Sequence, residues 1–141
     1  VKIVAVCGYF DPVHDGHRSH FAAAKALGDK LVVITHSDEL CIKKKGFCYM
    51  KLAKRIQTLM AEPDVDEVVV SIDGDGTVAK TLKMVRPQVF AKGGDRTPDN
   101  MPQNEIDACA EIGCTIVYNI GEPKRPGWSS TEIGKKALGL Q

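Results

Sequence analysis

Lys2-Ile3-Val4-Ala5-Val6-Cys7 followed by Gly8-Tyr9-Phe10-Asp11-Pro12-Val13-His14-Asp15-Gly16-His17 is the stretch on which the fold of this 141-residue chain turns. The first six residues form a short, nearly continuous apolar run, as expected of a strand buried on both faces. The next ten are rich in turn residues and end with two histidines three positions apart. Beyond them Phe21, Ala24 and Leu27 recur at helical spacing and Gly28 follows as a stop, so a helix is expected from about Gly16 to Leu27. Strand, loop and helix in that order form the opening of a βαβ unit.

Working outward, the same alternation continues to the end of the chain. Lys30–Thr35, Glu67–Ser71, Gln88–Ala91 and Cys114–Asn119 are short and mostly β-branched, and helices are expected near Met50–Glu62, Gly76–Val85, Asn104–Ile112 and Ser130–Leu138. Parallel strands need crossovers of a dozen residues or so, which these helical intervals supply. The expected fold is an α/β, doubly wound, parallel five-stranded sheet of Rossmann-like type. The chain reads as one domain, residues 1–141, without internal repeat or linker. Ligands of such sheets bind beyond the carboxyl ends of the strands, which directs attention to the loops after Cys7, Thr35, Ala91 and Asn119.

Composition narrows the function. Nineteen basic and 18 acidic residues leave a formal net charge of +1, too small for the broad basic footprint of a sequence-tolerant nucleic-acid binder. An anion site must therefore be local, and no nucleic-acid partner is expected. The five cysteines (7, 41, 48, 109 and 114) contain no C-x-x-C pair and no zinc-ligand spacing, and any disulfide scheme leaves one over. Interior thiols in a reducing cytoplasm are expected. No apolar run approaches the ~20 residues of a membrane span, and no leader pattern opens the sequence, so neither membrane nor export is expected.

His14 and His17 share one face of a first helical turn. A helix N-terminus offers unpaired N–H groups and partial positive charge, which suit phosphate, and two imidazoles add donors. The plainer alternative is Asp15 as an ordinary N-cap beside exposed histidines. Zinc lacks a third nearby ligand.

The segment Gly8–His17 resembles the G-x-F-D-x-x-H-x-G-H signature of the nucleotidylyltransferase, or cytidylyltransferase-like, superfamily. Leu27–Val33, Ser37-Asp38, Val65–Val69, Lys92-Gly93-Gly94-Asp95 and Ser129-Ser130-Thr131 resemble later landmarks of that family in order. The resemblance implies transfer of a nucleoside monophosphate to a phosphorylated acceptor, with release of pyrophosphate. It implies that Tyr9 and Phe10, with His14, Gly16 and His17, hold the triphosphate, and that Tyr9 stands where relatives carry a hydroxyl residue. A lysine among Lys43, Lys44 and Lys45, taken as Lys44, would neutralise the reacting phosphates, His14, His17 and Lys44 being the catalytic set. The histidines are expected as positive hydrogen-bonding partners. Lys92, Gly93 and Asp95 would approach base and ribose, with Glu122 near them, and Ser129, Ser130 and Thr131 would hold the β- and γ-phosphates while capping the last helix. Asp11, Arg55 and Arg96 are expected near the acceptor. Arg55 serves either substrate or structure, and Ala53 replaces the acid that relatives place two residues before it.

The Lys92–Asp95 segment resembles the adenylyltransferase domain of ADP-heptose synthesis, which implies ATP as donor and a sugar phosphate such as heptose 1-phosphate as acceptor. Glycerol-3-phosphate cytidylyltransferases using CTP, adenylyltransferases acting on FMN or a phosphopantetheine-like acceptor, and a binding module without turnover are the alternatives. Mg²⁺ is expected with the triphosphate and no protein metal site is. A homodimer is a further expectation of the resemblance, with Trp128 serving either a pocket or a contact surface.

Overall fold

The computed structural model describes residues 1–140. Five strands, β1 (Ile3–Cys7), β2 (Lys30–Thr35), β3 (Glu67–Val70), β4 (Val89–Ala91) and β5 (Thr115–Val117), form one all-parallel sheet in the order β3-β2-β1-β4-β5. Six helices connect or follow them: α1 (Asp15–Lys25), α2 (Asp38–Lys45), α3 (Leu52–Met60), α4 (Ala79–Val85), α5 (Gln103–Ile112) and α6 (Ser130–Leu138). The expected doubly wound sheet is present.

The period-2 alternation of β1 sorts the core onto two faces. Val4 and Val6 point to one face, against Phe21 and Ala24 of α1 and Leu59 of α3. Ala5 points to the other, where Val78, Leu82 of α4, Cys109 of α5 and Met101 pack. Central β2 is buried from Leu31 to Thr35, whereas both edge strands are three or four residues long. Short edges limit the unpaired backbone offered to other chains. No helix is long and apolar enough to cross a membrane among the described residues.

The structure corrects the reading at several boundaries. α1 ends at Lys25, and Gly28 is not its left-handed stop. A Cβ there would lie 2.7 Å from the Lys2 carbonyl oxygen, so close backbone approach demands the glycine. α4 starts at Ala79 rather than Gly76 because Asp75 accepts from Thr77 N–H, and Asp73 from Lys80 and Thr81 N–H, folding the preceding residues into a turn. β5 covers only Thr115–Val117. Of the cysteines, Cys41 and Cys109 are buried, the other three are half-buried, and all are free.

The largest difference is α2, a helix between β2 and α3 where the sequence reading expected none. Ser37 Oγ accepts from Leu40 N–H, Asp38 and Glu39 lie in the first turn, Lys43, Lys44 and Lys45 in the last, and Gly46 ends it at φ 84°. Those charges and caps favour a helix end to end. Only Cys41 of this helix is buried, so the apolar periodicity that betrays most helices is missing.

Candidate active site

The first loop leaves β1 at the carboxyl edge of the sheet, beside the switch point between β1 and β4. Its histidines, not Asp15, cap α1. Nδ1 of His14, the N-cap residue, accepts from Gly16 N–H at 3.0 Å, and Nδ1 of His17 accepts from His14 N–H at 3.2 Å. Two imidazoles thus form a capping box of the kind that Ser and Glu usually make. Because both Nδ1 atoms accept, each neutral ring carries its proton on Nε2. The rings stack at 3.7 Å, and His17 meets the edge of buried Phe10 at 4.9 Å. Gly16 is obligatory here, since a Cβ would lie 2.8 Å from the His14 ring and 2.9 Å from Trp128.

Burial, then the neighbouring His14, lowers His17 from its ordinary 6.5 to about 3. Burial and then Lys124 lower His14. Both rings are therefore neutral donors at neutral pH, a correction to the positive partners expected from sequence. Positive charge at the site comes from lysines.

Two residues expected to touch the acceptor belong to the scaffold instead. Asp11 is fully buried. Its carboxylate accepts from Tyr49 N–H (2.7 Å) and Met50 N–H (2.5 Å) and pairs with Lys45 Nζ at 3.3 Å, while Lys45 also donates to the Asp11 carbonyl. Arg55 is likewise fully buried, donating to Met50 O, Tyr9 O and Thr35 Oγ1, each at 3.0 Å, and to Asp38 at 2.8 Å. Asp38 supplies the counter-charge that Ala53 lacks. Among the three lysines, Lys45 is spent on Asp11, Lys43 lines no cavity of the cleft, and exposed Lys44 lines two.

After β4, Lys92 is largely buried, its Nζ 3.4 Å from Cys7 Sγ and over the Phe90 ring. Gly93, Gly94, Asp95 and Arg96 follow in a loop held by Asn100, which accepts from Thr97 N–H, donates to Asp95 O, and receives Arg96 Nη1 on its carbonyl. From the last loop, Glu122 N–H donates to Ser19 Oγ, and its carboxylate pairs with Arg125. Ser129 Oγ accepts from Glu132 N–H, one half of the expected capping box. Ser130 Oγ donates to Pro12 O at 2.6 Å, tying α6 to the first loop and committing that hydroxyl proton.

Three adjoining cavities result. One, of about 460 Å³, is lined by His14, Gly16, His17, Asp95, Asn119, Glu122 and Trp128 among others. A second, of about 440 Å³, runs from Tyr9 and Lys44 to Lys124 and Ser129-Ser130-Thr131. The third, of about 390 Å³, lies above Cys7 and Lys92 and reaches Gly76 and Glu105. His17 and Asp95 line all three. Of the residues expected here, only Asp11 and Arg55 are withheld from every cavity.

Sequence reading missed His20, His36, Glu105, Asn119 and Lys124. His20 continues the i, i+3 series of His14 and His17, and its Nδ1–H donates to Ile120 O at 2.6 Å. His36 directly follows β2 at the sheet's functional edge, with Nδ1 2.9 Å from Ser71 Oγ. Those two were findable from position; Glu105, 98 residues after Cys7 in sequence, was not.

Asp11, Cys41 and Cys48 bring ligand atoms within 4.8 Å of one another, but Lys45 already occupies the carboxylate and two thiols do not suit Mg²⁺. The donor set of the cleft fits phosphate oxygens: neutral N–H groups, a helix N-terminus and lysines. A parallel sheet with such a cleft at its switch point defines a nucleotide-binding α/β protein that handles phosphate chains.

The chain belongs to the cytidylyltransferase-like family, whose match spans residues 5–136. It is 36% identical over 137 residues to the bifunctional protein HldE of Citrobacter koseri, covering 96% of this chain but 27% of that protein. Against HldE of Nitrosococcus oceani it is 38% identical over 101 residues, 70% of this chain and 21% of that one. The chain thus spans about a quarter of these relatives. A lipopolysaccharide core biosynthesis protein from Thermoplasma volcanium superposes with a TM-score of 0.72 at 25% identity, over 87% of this chain and 98% of the other. A pantoate–β-alanine ligase of Francisella tularensis shares the fold (TM-score 0.58, 16% identity, 99% and 66% covered).

Proposed function

We propose that this chain transfers AMP from ATP to a sugar phosphate of the heptose 1-phosphate class, releasing pyrophosphate. The observation that carries the reading is the meeting of three cavities at His17 and Asp95. A transfer between two phosphates needs three compartments around one phosphorus, for nucleoside, leaving pyrophosphate and acceptor. The kinship with HldE proteins and the Lys92-Gly93-Gly94-Asp95 segment support ATP and a sugar phosphate over the alternatives.

In this reading the nucleoside lies along Asn119, Glu122 and Trp128, with Asp95 accepting from ribose hydroxyls. The β- and γ-phosphates run to the start of α6, where the Ser129 and Thr131 hydroxyls and first-turn N–H groups donate. The acceptor enters beside Lys92. An acceptor phosphate oxygen bonds to the α-phosphorus as the bond to the α-β bridging oxygen breaks, and that electron pair leaves with pyrophosphate. Nε2–H of His14 and of His17 donate to oxygens whose charge grows, and Lys44 neutralises the approaching anions. Catalysis is positioning and preorganised electrostatics, without a covalent intermediate. Mg²⁺ accompanying the triphosphate would supply further neutralisation of phosphate charge beside Lys44.

The test is pyrophosphate release with Mg²⁺, ATP and CTP assayed separately against sugar 1-phosphates, glycerol 3-phosphate, FMN and phosphopantetheine. Release dependent on ATP and a sugar phosphate is the expected result. Preference for CTP with glycerol 3-phosphate would replace both substrates, and nucleotide binding without release would leave a binding module.

A further inference from the structure

We propose that Glu105 is the specificity-determining residue of the third cavity, so that the acceptor is a polyhydroxylated phosphate that points a hydroxyl group, not its phosphate, at this carboxylate. The inference rests on the reading of that cavity as the acceptor's.

Glu105 stands in the first turn of α5 and is only 4% exposed. Its Oε2 accepts from Val78 N–H at 3.0 Å, where α4 begins. Oε1 accepts from nothing, and among the described residues it is the buried side-chain polar atom left without a partner. Two cations of the same cavity wall are turned elsewhere, Lys92 to Cys7 and Arg96 to the Asn100 carbonyl. A buried acceptor without a donor is costly, and a ligand that brings the donor recovers that cost.

The remainder of the cavity selects the ligand's orientation. His17 and Lys44 lie on the wall shared with the cavity that holds the triphosphate in the proposed reading, and they present donors and positive charge to a phosphate. Glu105, Pro102 and Gly76 line this cavity and neither of the other two. A phosphate, which has acceptors and negative charge, is repelled there, whereas a sugar hydroxyl donates. The cavity therefore discriminates against a phosphate carrying a purely apolar tail, because such a ligand would leave Oε1 buried and unpaired.

Glu105→Gln tests this cleanly, since the amide oxygen still accepts from Val78 N–H while an NH₂ group replaces the free acceptor. Calorimetric titration of wild type and E105Q with aldose 1-phosphates from hexose to heptose, their 2-deoxy counterparts and methyl phosphate is run beside the pyrophosphate assay. Wild type is expected to bind at least one aldose 1-phosphate about tenfold or more tightly than methyl phosphate, and E105Q to lose most of that margin, with KM for ATP and Tm unchanged. Equal discrimination in both proteins, a weakened ATP site instead, or a lowered Tm alone would overturn the proposal. Failure of the reaction itself shows as absent pyrophosphate release, and the titration still decides the role of Glu105.

Discussion

His14 and His17 do two jobs with their two nitrogens. Each Nδ1 completes the helix cap, which fixes the tautomer and leaves Nε2–H as the donor, and burial keeps the rings uncharged. A substitution that separates the jobs is available. Asn places an acceptor near the position of Nδ1 and nothing near Nε2, so His17→Asn should keep the cap, fold with Tm within a few degrees of wild type, and lower kcat about a hundredfold or more. Pyrophosphate release and thermal unfolding check the two halves of this expectation. The sequence raised the expectation that these residues meet phosphate, through H-x-x-H at a helix start and the resemblance carried by the surrounding ten residues. It did not show their charge, which depends on burial in the packed fold and, for His14, on Lys124 arriving from a distant part of the chain. Tyr9 illustrates the same limit: the sequence marked only that it stands in place of the threonine or serine of relatives, while in the fold its ring rests on His36 at 4.6 Å and its carbonyl is held by Arg55.

At the scale of elements, the first loop is held from below by α2 and α3. Arg55 of α3 gathers the carbonyls of Tyr9 and Met50, the Thr35 hydroxyl and Asp38 of α2, and Asp11 gathers the turn between those helices. Removing the guanidinium leaves several buried groups unpaired at once. Arg55→Met should cost about 3–5 kcal/mol, read from urea unfolding, and should weaken ATP binding in step as Tyr9 is released. Glu-x-Arg in relatives made Arg55 visible in the sequence, yet substrate and scaffold roles could not be separated there, because burial is a property of the packed elements. The strands were legible for the opposite reason: β-branched runs buried on both faces carry their own signal. α2 was hidden, since its stability comes from caps and end charges and Cys41 alone anchors it in the core.

Over the whole molecule, the histidines set a common response to acid. Burial holds His17 near 3 and, assisted by Arg55, His36 near 4, and it lowers His14 and His20 as well. The unfolded chain takes up protons near the ordinary 6.5 that the folded chain refuses, so stability rises with pH between about 4 and 6.5 and is fully present above that range. His17 alone contributes about 1.4 kcal/mol per pH unit within the window. Chemical denaturation at pH 7.5 and pH 5 should show the loss, and His17→Asn should flatten part of the slope. A slope unchanged by that substitution would mean the ring is solvated in the free protein.

Trp128, the single tryptophan of the chain, lies against Gly16 at the rim shared by two of the three cavities, with the Arg125 guanidinium 5.1 Å from its ring. The protein thereby carries its own optical reporter at the mouth of the cleft. Any ligand that stacks there or displaces Arg125 changes the emission of one chromophore without interference from another indole, so occupancy and its kinetics can be followed by stopped flow on the unlabelled chain.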